Sequence, residues 1–415
     1  MRKILLATTA LVGFAVAGAA QAATSPLTVT VGGDVDFVAG AFHSSEASAP
    51  RTDSSNGSFE TLYDLNFGVA GKAGNGLEYG GTLSLNNNPD ISNYFRGNSN
   101  GIEVTTADLF LSGAFGKVQL GDSQGATDLA VGTPTVGEGQ VNGRYIDFLN
   151  TLTFAKTFVT GIDGTDHSTN ITYYTPKVGN DTNKVQAGVT FAPNFYNYGS
   201  NSVQFENNNG LSRTIGGTTY TYTGGTDQLS PYKDVIKGAL NYTGTFKPVT
   251  LGVSGTIISG TADASGSNLG WLATAPGGKD RDFTAYGIGA TAAAEGFTLG
   301  GNYTDLGNYD TVGAQNKDQQ QYGAGLKYEF SKVAVGVSYL GGEGYDNTLL
   351  LPVGKTGAGS SYNYVKDFDS YGLGGAYTWA PGLTTNADAV LFDQKTESDV
   401  KNDGYVLLIS QKLAF

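Results

Sequence analysis

The sequence predicts an all-β protein, a transmembrane antiparallel β-barrel of sixteen strands. Three observations predict it. Apolar and polar residues alternate with period two in segment after segment. The connections between those segments are long and short in strict alternation. Beyond the N-terminus no stretch is long and apolar enough for a transmembrane helix, which a membrane barrel does not need.

Arg2 and Lys3 precede an apolar run from Ile4 to Ala20, and Ala20-Gln21-Ala22 forms an A-x-A cleavage pattern. Residues 1–22 therefore read as a secretory signal peptide and 23–415 as one barrel domain. The first strand, 27–39, sets Leu27, Val29, Val31, Val35 and Phe37 against Thr28, Thr30, Asp34 and Asp36. The second, 59–71, carries Tyr63, Leu65, Phe67 and Val69 on one face. Strands at 76–87, 104–114, 116–122 and 168–176 follow, then 183–193 with Val185, Ala187, Val189 and Phe191. The next four are 235–246, 249–260, 283–294 and 296–305. In 319–330, Tyr322, Ala324, Leu326, Tyr328 and Phe330 oppose Gln321, Gly323, Gly325, Lys327 and Glu329. Val333, Val335, Val337 and Tyr339 repeat the pattern in 332–341, and Tyr371, Leu373, Tyr377 and Trp379 do so in 368–379. Strands 382–393 and 403–415 complete the set, the last with Tyr405, Ile409, Leu413 and Phe415 in one parity.

Long connections span 40–58, 88–103, 123–167, 194–234, 261–282, 306–318, 342–367 and 394–402. Short ones lie around Lys72–Asn75, Phe115, Lys177–Thr182, Lys247–Pro248, Glu295, Ser331 and Ala380–Pro381. All long loops then fall on one side and both termini on the other, the layout of outer-membrane barrels. Phe115, Phe246, Phe297, Phe330, Trp379 and Phe415 sit at the short-turn side, where an aromatic girdle forms. In lipid an open sheet edge is forbidden, so the last strand must pair with the first, and sixteen strands leave a water-filled lumen.

Composition excludes much else. The absence of cysteine removes disulfides, thiolate metal sites and a Cys nucleophile. His43 and His167, both placed in external loops, are too few and too far apart for a Ser-His or Asp-His constellation, so no enzyme is expected. Without Arg2 and Lys3 the chain carries 22 basic residues against 37 acidic ones, a net −15. Such acidity argues against nucleic acid and suits cation attraction, including divalent cations at acidic loops. Pairs such as Gly287-Ile288-Gly289 follow no strand into a helix and are not nucleotide sites.

The stretch Phe115-Gly116-Lys117-Val118-Gln119-Leu120-Gly121-Asp122 resembles the fifth-strand motif of Gram-negative general porins, just before their constriction loop. Asn170–Pro176 followed by Val185–Phe191 resembles the next hairpin of that family, and Leu27–Asp36 and Gln411–Phe415 fit its ends. The style is closest to porins of the alphaproteobacterial type. The resemblance implies a diffusion pore in the outer membrane, a homotrimer among outer-membrane lipids and lipopolysaccharide, and a third long loop folded into the pore. That loop is 123–167, the longest of the eight. It also implies that Phe415 belongs to the signal read by the barrel-assembly machinery. One departure stands out: family members often carry Arg where this chain has Asp122, which weakens the transfer of their basic cluster.

A pore's chemistry is a field across its lumen. The eyelet candidates on the loop are Asp122, Asp128, Glu138 and Asp147, with Arg144 of opposite sign. Lumen parity selects Asp34, Asp36, Asp64, Glu78, Asp108, Lys117, Lys237, Lys327, Glu329 and Lys412 on the wall. These charges and the net −15 predict mild cation selectivity, with no cofactor required. The alternative is a substrate-specific channel, for sugars for example, whose aromatic track would begin at Tyr145, Phe148, Phe110 and Tyr174. An adhesive role for loop 194–234 is the remaining rival.

Overall fold

The computed structural model describes residues 27–45, 57–87, 102–149, 168–194, 212–215, 218–221, 232–262, 281–309, 319–345, 364–397, 399 and 401–415. The signal peptide expected at 1–22, His167 and the end of loop 123–167 lie outside the described residues.

Sixteen antiparallel strands form a closed barrel. In chain order they are β1 (Thr28–Ser44), β2 (Gly57–Lys72), β3 (Glu78–Asn86), β4 (Glu103–Gly113), β5 (Gly116–Asp122), β6 (Thr169–Tyr174), β7 (Asn183–Asn194) and β8 (Tyr232–Phe246). The second half comprises β9 (Val249–Ala262), β10 (Phe283–Ala294), β11 (Phe297–Asp305), β12 (Gln320–Phe330), β13 (Val333–Tyr345), β14 (Tyr364–Ala380), β15 (Leu383–Thr396) and β16 (Lys401–Ala414). Val178–Gly179 continues β6 beyond Pro176, which has no N–H to give, and pairs with the lower end of β7. Ser212–Ile215 and Thr218–Thr221 make a separate hairpin within a long connection.

Each strand pairs with its chain neighbour, and β1 also pairs with β16, Asp34 opposite Ala414. The Gly33 N–H donates to the Phe415 carbonyl at 3.0 Å and the Phe415 N–H to the Gly33 carbonyl at 2.9 Å, so the seam closes on the last residue. The turn Glu295-Gly296 has φ of 51° and 85°, the pair of positive values that lets a two-residue turn follow the twist of its strands. The short-turn side carries the expected rings: Phe246, Phe297, Phe330, Trp379 and Phe415 are exposed, and Phe297 stacks on Tyr328 with centroids 4.2 Å apart.

The alternation places aliphatic side chains outside and polar ones inside. Val29 is 65% exposed, whereas Asp36 on the opposite face is 2% exposed. Three features differ from the sequence expectation. A second outward ring of tyrosines, Tyr286, Tyr303, Tyr322, Tyr339, Tyr371 and Tyr405, lies toward the long-loop side and forms the other girdle. His43 sits on β1 rather than in a loop, its ring 5.9 Å from Tyr405. The interior is also not uniformly polar. Near the long-loop end, Val38, Leu62, Leu340, Val365, Phe368, Val390 and Leu408 form one inward apolar cluster, and Tyr232, Val235, Ile258, Phe283 and Leu306 form another.

Candidate functional site

Loop 123–149 folds into the barrel. It is not structureless: three short 3-10 turns, Gly125–Leu129, Gln140–Asn142 and Arg144–Phe148, shape it. Its root is tied to β6 and β7. Asn170 Nδ2 donates to the Ser123 carbonyl at 2.6 Å, Tyr174 Oη to the Gly125 carbonyl at 2.7 Å, and the Ala126 N–H to Thr190 Oγ1 at 2.7 Å. From there the loop runs around the wall. Asn241 Nδ2 on β8 donates to the Leu129 carbonyl at 2.8 Å, and the Val131 N–H donates to Ser254 Oγ on β9 at 2.8 Å. Thr133 Oγ1 donates to Asn302 Oδ1 on β11 at 2.7 Å. Gln140 Nε2 donates to the Gly336 carbonyl on β13 at 2.7 Å, and the Gln140 N–H to Asp388 Oδ2 on β15 at 2.9 Å. The loop's backbone polar groups, which have no sheet partner, are met partly by its own turns and partly by the wall.

Glycines make that contact possible. A Cβ on Gly289 of β10 would stand 1.7 Å from the Val131 carbonyl oxygen. On Gly325 of β12 it would stand 2.3 Å from the Pro134 oxygen, and on Gly40 of β1 2.4 Å from the Phe148 ring. A Cβ on Gly300 or Gly372 would meet the loop at 2.7 Å. The loop thus lies as a belt on bare backbone from β6 to β1, and its far end, Tyr145 and Phe148, is buried in the apolar cluster around Val38 and Leu408.

The belt sorts the candidate charges. Asp128 on the first turn is exposed to the lumen; crowding by the wall pushes its carboxyl above the ordinary value, against the pull of Lys237 and Lys117. Glu138 points the other way. It is buried, accepts from Asn386 Nδ2 at 2.7 Å and from Ser410 Oγ, and lies against Asp36. Arg144 Nε is 3.7 Å from Glu138, and its Nη1 is 3.9 Å from the largely buried Asp147. Asp122 shares the side of Leu109 and Ile171, away from the lumen, and accepts from Thr169 Oγ1. The eyelet expectation therefore shifts: Asp128 and Arg144 present charge, Glu138 anchors, and Asp122 stands outside.

On the wall, Lys237 is buried beneath the loop root and donates to the Gln124 carbonyl at 3.2 Å. Lys412 pairs with Asp34 at 2.9 Å and Lys327 with Glu329 at 3.2 Å. Glu78 pairs with Lys72 at the short-turn rim, far from the belt. Asp64 lies opposite Asp34, and Asp108 accepts from Gln119 Nε2. Lys117 rests its ammonium over Phe110 and Tyr174.

A closed sixteen-strand barrel with an inner belt has a family. A family model described as Gram-negative porin matches residues 7–397. The chain belongs to the Gram-negative porin family. Among solved structures, this porin is similar to the outer membrane channel DcaP of Acinetobacter baumannii, with 12% identity, TM-score 0.55, and coverage of 96% of this chain and 100% of that one. It is also similar to Salmonella typhi OmpF, solved with daunomycin, at 14% identity and TM-score 0.53 over 93% of this chain and 97% of that one. In-vitro folded OmpT of Vibrio cholerae, in its trimer form, aligns at 14% identity and TM-score 0.51, covering 94% and 100%. No curated protein matches it. As a porin the chain is a channel of the outer membrane and not an enzyme.

Several residues that hold the porin's belt carried little sequence signal. Asn241, Ser254, Asn302, Asn386, Asp388 and Ser410 are inward polar positions on strands, and inward parity is the trait that could have flagged them.

Proposed function

We propose that this porin is a general diffusion pore for small hydrophilic solutes and ions, mildly cation-selective, working as a homotrimer among outer-membrane lipids and lipopolysaccharide. The barrel-assembly machinery inserts it through the C-terminal strand that ends at Phe415. Divalent cations enter only as counter-ions at acidic external loops.

The observation that carries this reading is the belt. It lies along the wall, so it narrows the lumen without enclosing a pocket. Sign follows from which charges stay open. Lys237 is buried, and Lys412 and Lys327 are paired, whereas Asp128 faces the lumen and the half-buried Asp64 lines the wall opposite the belt. Together with the net −15 this favours cations. The sugar-channel alternative is weakened, because Tyr145 and Phe148 are buried and an ammonium already covers Phe110 and Tyr174.

Single-channel conductance and reversal potentials in a salt gradient test the proposal. Ohmic conductance with a cation-sided reversal potential is expected, as is a heat-sensitive oligomer closing in three steps. A clear anion preference would overturn the selectivity, and saturating conductance blocked by one sugar would overturn general diffusion.

A further inference from the structure

Below the loop root, two aromatic rings face one cation and a carboxylate stands near it. The Lys117 ammonium lies 5.3 Å from the centroid of the Phe110 ring and 5.7 Å from that of Tyr174. Both distances are within the range in which an aromatic face attracts a cation. Asp128 is close enough to both Lys117 and Tyr174 to feel them, and Asp108 adds a second carboxylate against Tyr174. The parts are fixed. Tyr174 is held by its bond to Gly125, Asp108 by Gln119, and Asp108 and Tyr174 are both buried, while Asp128 opens to the lumen. Two rings and a carboxylate about an ammonium, with a second carboxylate against one of the rings, are what a site for an organic cation requires: π-faces for its alkyl-ammonium body and anions for its charge.

We propose that Phe110, Tyr174, Asp108 and Asp128 form a lumen site for organic ammonium ions, which the chain's own Lys117 occupies as a tethered competitor. Lys117 thereby keeps passing cations from lodging in the pore. The proposal rests on the reading of the lumen as the conducting path. It goes beyond that reading in naming a ligand class.

The probe is tetramethylammonium, added to single channels conducting potassium chloride. Lys117→Ala empties the cage, whereas Lys117→Met removes the charge but leaves a stem filling it. Half-block by tetramethylammonium should occur at about 5- to 10-fold lower concentration in Lys117→Ala than in the wild type or Lys117→Met, the worth of one cation–π contact. Adding Phe110→Leu to Lys117→Ala should return it to the wild-type value. Equal sensitivity of Lys117→Ala and Lys117→Met would mean that charge removal alone acts, and would overturn the site. Block persisting in the double variant would do the same. Calorimetric titration of tetramethylammonium into the detergent-folded variants reads the same order without conduction. Failure to conduct potassium chloride therefore counts against the channel reading and leaves the cage separately decided.

Discussion

The inner wall of this porin comes in two kinds. From β9 round to β15 the inward positions that meet the middle of the belt, residues 131–140, are largely glycines and short polar side chains such as Gly289, Gly325, Ser254 and Asn302, and the loop backbone lies on them. From β2 to β5 the inward positions are Asp64, Asp108, Phe110, Lys117 and Gln119, whose side chains reach into the lumen or line it. The first kind of wall is built to receive a backbone and the second to meet a solute. A sheet that must seat a loop gives up side chains, and a sheet that must filter keeps them.

Filling the bare wall should have the largest effect. Gly289→Val puts atoms where the Val131 carbonyl lies, and overpacking of this kind costs about 1–3 kcal/mol. The belt should lift, and single-channel conductance should rise while the barrel stays folded. Gly255→Ala, on the outward face of the neighbouring β9 with nothing within 4 Å, should change neither. An unchanged conductance in Gly289→Val would break the comparison.

Cutting an anchor should come next. Glu138→Ala leaves Ser410 without its acceptor, Asn386 with only Ser410 to donate to, and Arg144 without its nearer carboxylate, a loss of about 1–3 kcal/mol for buried donors. Noisier open-channel current and earlier thermal unfolding are expected, with little change of selectivity because Glu138 faces the wall.

Selectivity should respond on the other side. Asp128→Asn should lower the cation-to-anion permeability ratio by about twofold at low salt and less at high salt. Crowding pushes Asp128 above the ordinary carboxylate value, so on acidification its charge is lost before that of an ordinary exposed carboxylate. Reversal potentials should begin to fall at a pH above that at which ordinary carboxylates titrate, and Asp128→Asn should remove that early step.

The smallest effect concerns the outer rim, away from both walls. Asp399 accepts from Lys366 at 2.8 Å and lies 3.1 Å from Lys395, and these hydrogen bonds hold its carboxyl down to about 2. A lowered value in the folded state means that its contribution is present above the ordinary carboxylate pKa and is lost as pH falls through about 2. The group is exposed, so Asp399→Asn should shift thermal unfolding barely and only in low salt, with conductance unchanged.

Most of the barrel was legible because lipid on one side and water on the other impose period two, and side chains such as Val335 and Lys327 report which side they take. Legibility failed where that contrast failed. β1 runs on to Ser44, β13 to Tyr345, and β14 starts as early as Tyr364. There Val38, Leu340, Val365 and Phe368 turn apolar side chains inward, so both faces read alike. The site was legible only in part. Asp128 and Arg144 advertise themselves as loop charges, but nothing local tells that Glu138 turns to the wall, since its partners Asn386 and Ser410 are more than two hundred residues away. The belt's seat was least visible of all. Gly289 and Gly325 mark it by having no side chain, and a missing side chain has no parity to read.

Phe148 rests against Gly40 of β1 and Leu408 of β16, the two strands farthest apart in the chain. That placement orders assembly. The near end of the belt can dock once β6 and β7 have paired, but the far end's seat is complete only when the first and last strands have met. The aperture is therefore completed after the cylinder, and an unsealed intermediate has no finished restriction. Opening the seam strips the belt's far end of part of its seat, so leakiness of an assembling channel should track whether its ends have joined.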